Sequence, residues 1–144
     1  MTVRVKPPFW FWAMTGLLLL WGIAGVLGFY FDMAATPAQR AGMDAYDRRL
    51  YEVRPDWFLW VYGVAVWAGL IGSGLMVLRR GLAQASYVVS LIAVVVMFGW
   101  MFVATDIITH KGLLVAAGFP VVIALLSVAE IGLAGLAIRR GWIG

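Results

Sequence analysis

Four long apolar runs, at 8–31, 57–78, 83–105 and 113–138, alternate with short polar segments. Each reaches the roughly 20 residues that a helix needs to cross a bilayer core about 30 Å thick. A lone strand exposed to lipid would leave its backbone unpaired, so all four runs are predicted as helices. The first run is too long for a signal-peptide core and has no small-residue cleavage site, so it is read as a retained span. The fold class is therefore all-α: a polytopic membrane four-helix bundle forming a single membrane domain over 1–144.

The longest polar interruption, "TPAQRAGMDAYDRRLYEVRPDW", has the pattern of an amphipathic surface helix at 37–53. Thr36 is placed to cap it, Pro37 suits the first helical position, and Gln39 completes a Thr-x-x-Gln capping box. Arg40, Asp44, Arg48 and Glu52 recur every fourth residue as a ladder of alternating sign, worth a few tenths of a kcal/mol per pair. Met43, Tyr46, Leu50 and Val53 form an apolar stripe on another face. Pro55 ends the helix, Asp56 is placed to cap the second span, and Gly42 weakens the interior. Such a helix would lie across the mouth of the bundle as a lid or docking element.

Composition agrees with the pattern. The 144 residues are 64% hydrophobic and 12% charged, with a mean hydropathy of +0.95, outside the range of soluble domains. Cysteine is absent and His110 is the sole histidine. This excludes thiol relays, thiolate metal sites, iron–sulfur clusters and bis-histidine haem within one chain. The net charge of +4 is modest and lies at span ends, which argues against nucleic acid as a partner.

Arg4, Lys6, Arg79, Arg80, Arg139 and Arg140 fall on one side of the membrane. Arg40, Arg48, Arg49, Arg54 and Lys111 fall on the other. The paired arginines abut helix ends, so their side is read as cytoplasmic, with both termini there and the 37–53 helix in the periplasm. "IGSGLMVLRRG" and "IGLAGLAIRRG" repeat at an offset of sixty residues, a match that a common helix-end composition explains as well as a duplicated hairpin. Glycines in the first, second and fourth spans are expected to serve close helix packing, or else contact with a second copy or another membrane protein. Aromatic residues near span ends, among them Trp10, Trp57 and Trp60, read as interfacial anchors.

The segment "TPAQ…RRLYEVRPDW", the aromatic start "PPFWFW" and the ending "RRGWIG" resemble an uncharacterised family of small four-helix inner-membrane proteins of proteobacteria. The resemblance implies a bacterial inner-membrane location and four helices. It carries over no catalytic residue, although some members bear a sugar-transporter label.

Glu130 is the one ionisable residue deep inside a span, roughly 12 Å from the cytoplasmic edge at 1.5 Å per residue. An unpaired carboxylate there costs several kcal/mol, so it should protonate or find donors. Thr15, Ser73 and Ser90 fall at about 8–11 Å on the other spans. With Ser127 they make a predicted polar layer whose hydroxyls hydrogen-bond Glu130. Pro120 predicts a kink in the fourth span. At the opposite mouth Asp32, Asp56, Asp106, His110 and Lys111 lie near span ends. Three carboxylates and a histidine are a donor set for a divalent metal, which Lys111 opposes, and polar residues belong at such positions anyway.

No Ser-His-acid spacing, phosphate loop or helical His-x-x-x-His pair is present. No catalytic residue, cofactor or resident metal is expected. The leading expectation is a non-enzymatic accessory or scaffold subunit whose partners are the lipid bilayer and either a second copy or a larger membrane complex. The alternative is a small oligomeric transporter or small-molecule binder, for a sugar or a cation, using Glu130.

Overall fold

The computed structural model describes residues 3–144. Among these residues are four long helices, α1 (Phe9–Met33), α4 (Trp57–Val77), α5 (Leu82–Ala104) and α7 (Leu113–Arg139), and three short ones, α2 (Pro37–Ala41) and α3 (Ala45–Glu52) between α1 and α4, and α6 (Ile107–Lys111) between α5 and α7. The long helices are each long and apolar enough to cross a membrane, and the protein is an all-α four-helix membrane bundle. Its outward positions are as apolar as its interior: Leu20, Val103 and Leu114 are 64%, 89% and 86% exposed. Surface of that kind is stable only against lipid.

Glycine sets the helix spacing. A Cβ added at Gly22 would lie 3.0 Å from the Leu70 Cα, and one at Gly25 would touch Val66, so α1 rests almost backbone-to-backbone on α4. A Cβ at Gly72 would lie 2.8 Å from the Tyr87 ring, which fits α5 closely against α4. With no water to drive association in a bilayer, the attraction comes from such dispersion contacts, about 0.1–0.2 kcal/mol per atom pair. These glycines serve packing, whereas Gly74, Gly99, Gly118 and Gly132 face open space.

Helix packing runs in sequence from α1 to α4, α4 to α5 and α5 to α7, and the ring is not closed by comparable packing of α7 on α1. α1 and α7 meet at the terminal face, where Trp142 packs edge-on against Trp10 and Phe11. Beneath them Phe11, Met76, Tyr87, Ala134 and Ile143 form the tightest part of the core. Arg79, in the left-handed region at φ 57°, ties this face together. Its guanidinium donates to the Trp142 carbonyl at 2.6 Å and the Val5 carbonyl at 2.8 Å, while its own carbonyl accepts from Gly144 N. The segments around Val5 and Trp142 thus lie on one face. The two "RRG" segments differ here: α4 stops before Arg79, but α7 runs through Arg139 and turns at Gly141, φ 70°.

The predicted helix at 37–53 is two helices. Thr36 does cap α2 with a reciprocal Thr36–Gln39 box, but the chain breaks at Gly42 and restarts with Asp44 as the cap of α3, accepting from Tyr46 N. Asp44 therefore leaves the charge ladder. Asp56 does not cap α4 through its side chain. Its backbone is already helical, whereas a capping side chain requires extended backbone. His110 and Lys111, between the third and fourth spans, lie on the short helix α6, and α7 continues through Pro120 without interruption.

Candidate functional site

The unclosed seam between α1 and α7 encloses a cavity of about 490 Å³, within the range of pockets that hold small ligands. Its walls are mostly apolar: Gly22, Gly25 and Gly28 of α1, Ala65 and Val66 of α4, Val94 and Met97 of α5, and Ile123 of α7. Glycine on α1 does two things at once. It draws α1 onto α4, toward which the added Cβ atoms would point, and it leaves these lining positions without side chains.

Glu130 lines this cavity, is only 4% exposed, and among the described residues has no side-chain hydrogen bond or ion pair. Two of the four predicted hydroxyl partners, Ser90 and Ser127, line the same cavity. Both donate to main-chain carbonyls, Ser90 Oγ to Ala65 O at 2.6 Å and Ser127 Oγ to Ile123 O at 3.0 Å. Ser73 lies outside the cavity lining and shares a 2.9 Å hydrogen bond with the Tyr87 hydroxyl. Thr15 Oγ1 is buried without a partner. The layer of hydroxyls donating to Glu130 does not form. In an apolar surrounding a main-chain carbonyl one turn or one helix away is the nearer acceptor, and a serine has one hydroxyl proton to give.

At the loop face the cavity is bounded by Asp32 and Arg54, which pair at 2.8 Å. The Tyr51 hydroxyl donates to the Asp32 carbonyl at 2.7 Å. The Arg54 guanidinium lies 4.4 Å from the Tyr51 ring centroid and 4.8 Å from that of Phe58. Arg54 is thus held by one carboxylate and two aromatic faces, an arrangement that fixes a cation well.

Three of the other predicted mouth residues, Asp106, His110 and Lys111, belong to a separate latch between α3 and α6. Tyr46, 7% exposed, donates to Asp106 Oδ1 at 2.7 Å and stacks on His110 with ring centroids 3.7 Å apart. Arg49 approaches Asp106 at 3.6 Å, an exposed pair of little weight. Lys111 pairs with Asp47. The Tyr46 hydrogen bond holds the Asp106 carboxyl below the usual range against the opposing effect of burial. Burial, then the Asp106 contact, pushes Tyr46 up to about 12. Asp56 is exposed and stands apart. The five mouth residues are therefore not one site, and among the described residues no three His, Asp or Glu side chains converge as metal ligands. Of the charges in the 37–53 segment, Arg49 and Asp47 find partners across the fold at Asp106 and Lys111, and Arg54, just beyond it, at Asp32.

Sequence reasoning missed Arg54 as the partner of Asp32, and Trp21, Phe98 and Phe119 as lining residues. The available signal was Asp32 at the end of the first span, facing a second-span entrance that begins "RPDW". Comparison of the chain with protein-family models, with curated proteins and with solved structures gives no match.

Proposed function

We propose that this integral membrane protein is a non-enzymatic binder of a small lipophilic molecule, held in the α1–α7 cavity and anchored by Glu130. The observation that carries the reading is a carboxyl on a buried residue, facing about 490 Å³ of mostly apolar space, with no hydrogen-bond donor among the described residues. Burying a polar group without a partner costs on the order of 2–7 kcal/mol by transfer measurements. A guest that supplies the partner recovers much of that cost. Polytopic topology, the arginines of the terminal face and the family resemblance support a bacterial inner-membrane location with both termini cytoplasmic.

A sugar fits this cavity poorly. Ser90 and Ser127 have given their protons to carbonyls, and Asp32 is held by Arg54. A polyhydroxylated guest would leave most of its hydroxyls unsatisfied against hydrocarbon.

The test is organic extraction and mass spectrometry of the protein purified in mild detergent. Wild type is expected to carry a small lipophilic compound that Glu130→Gln and the cavity-blocking Ala24→Trp lack. Identical extracts from all three would contradict the reading. A second reading, an accessory subunit, draws on Gly74, Gly99, Gly118 and Gly132, whose open surroundings leave room for another helix. It expects a stoichiometric membrane protein partner whose retention is indifferent to Glu130→Gln.

A further inference from the structure

We infer that the guest is a lipophilic monocation, an amine carried on an apolar body, and that it reaches Glu130 from the bilayer through the α1–α7 seam. This inference rests on the binding role proposed above. Charge is the first ground. Besides the Tyr62 phenol, the ionisable groups lining the cavity are Asp32, Arg54 and Glu130. The first two neutralise each other at 2.8 Å, leaving a single unopposed acidic group and no free cation. An anionic guest would meet an acidic group in a medium of low dielectric, and a neutral donor would leave a carboxylate's charge uncompensated. A single ammonium satisfies it.

The walls are the second ground. Trp21, Tyr62, Phe98 and Phe119 contribute aromatic groups to the lining, which suit both an apolar body and a cation. Arg54, resting on Tyr51 and Phe58, shows a cation held in this way at the cavity's own rim.

The route follows from where the lining is exposed. Trp21 is 37% and Phe119 64% exposed, and Ala24 is exposed beside them, all at the seam where α1 and α7 do not pack. That surface faces lipid. Toward water the rim is crossed by the Arg54–Asp32 pair and the Tyr51 hydrogen bond. A molecule dissolved in the membrane therefore meets an open flank, and one arriving from water meets a held ion pair.

The experiment uses the full chain in phosphatidylcholine nanodiscs. Two probes are compared, a naphthylalkyl primary amine and the alcohol with the same hydrocarbon, each counted per chain by native mass spectrometry. The expected result is one bound amine, at least tenfold weaker binding of the alcohol, at least tenfold loss of amine in Glu130→Gln, and retention in Glu130→Asp. Circular dichroism confirms that the variants fold. Alcohol bound as tightly as amine, with both displaced by Ala24→Trp, would overturn the cation while leaving the cavity's binding role intact. Failure of both probes to bind, or amine binding indifferent to both Glu130→Gln and Ala24→Trp, would overturn that role as well. Association slowed by Ala24→Trp and unchanged by Arg54→Ala supports entry from the bilayer. Association speeded by Arg54→Ala and unchanged by Ala24→Trp overturns it.

Discussion

Replacing Glu130 separates a structural carboxyl from a binding one. If Glu130 held helices together, removing it would strand its donors, and each buried donor left unsatisfied would cost about 1–3 kcal/mol. Among the described residues no side chain donates to Glu130. Ser90 and Ser127 bond Ala65 O and Ile123 O, and Ser73 bonds Tyr87. Glu130→Met, which keeps the length of the side chain and removes its polar atoms, is therefore expected to stabilise the guest-free protein. The size follows from the cost of an acidic group deep in a membrane helix, about 2.5–3.5 kcal/mol on insertion scales. Part of it is already relieved by the cavity that the carboxyl faces, which leaves a gain of about 1–3 kcal/mol. Glu130→Gln, still polar, is expected to lie within about 1 kcal/mol of wild type on the same grounds. The assay is reversible unfolding in mixed micelles after the protein has been stripped of small molecules. The order should reverse when guest is present, because a ligand at a hundred times its Kd adds about 2.7 kcal/mol to wild type alone. A loss of more than 1 kcal/mol in stripped Glu130→Met would refute the reasoning, since it would require a partner within the bundle.

Gly72→Ala places a Cβ 2.8 Å from the Tyr87 ring and should destabilise by about 1–3 kcal/mol, read by the same unfolding assay. Gly74→Ala, in open space, should have little effect. Arg79→Ala removes the two guanidinium hydrogen bonds that hold the chain ends while keeping a side chain at positive φ. It should expose the Trp142 and Val5 amides to hydrogen exchange and leave guest binding at Glu130 unchanged. The Tyr46–Asp106 latch gives a pH dependence at both ends. Asp106 titrates below its ordinary value of 3.8, so its contribution is complete above that pH and is lost as the pH falls further. Tyr46 titrates at about 12 instead of 10.0, so its contribution holds below pH 10 and disappears as the pH rises toward 12. Hydrogen exchange of α3 and α6 should be slow between those limits and faster beyond them, with Tyr46→Phe much less sensitive to both.

The spans were legible because hydropathy over some 20 residues is a strong signal, and the ends of α1, α4, α5 and α7 fall within two residues of those expected. The Thr36 box was legible because its hydrogen bonds are local. The break after α2 was not, for a reason of magnitude. A ladder pair is worth about 0.2–0.5 kcal/mol, whereas Asp44 as a cap is worth about 0.5–2 kcal/mol and Gly42 costs about 1 kcal/mol inside a helix. Once the chain turns there, Arg49, Arg54 and Asp47 reach Asp106, Asp32 and Lys111, pairings that no local pattern encodes.

Glu130 was legible as an exceptional residue, but its surroundings were not. Counting residues gave Thr15, Ser73 and Ser90 a common height in the membrane. Height does not give direction, and only Ser90 of the three lines the cavity. The cavity itself arises because α7 packs on α5 but not on α1 over most of its length, a property of helix crossing that neither helix's sequence displays alone.

The most direct measurement is photolabelling in nanodiscs with an alkylamine bearing a diazirine on its chain, followed by peptide mapping. Label should concentrate on the facing segments 21–28 and 119–130, compete with unlabelled amine, and fall at least tenfold in Glu130→Gln. Label spread over outward residues such as Val103, Leu114 and Leu125, unaffected by competitor or by Glu130→Gln, would contradict a guest held at Glu130 in the α1–α7 cavity.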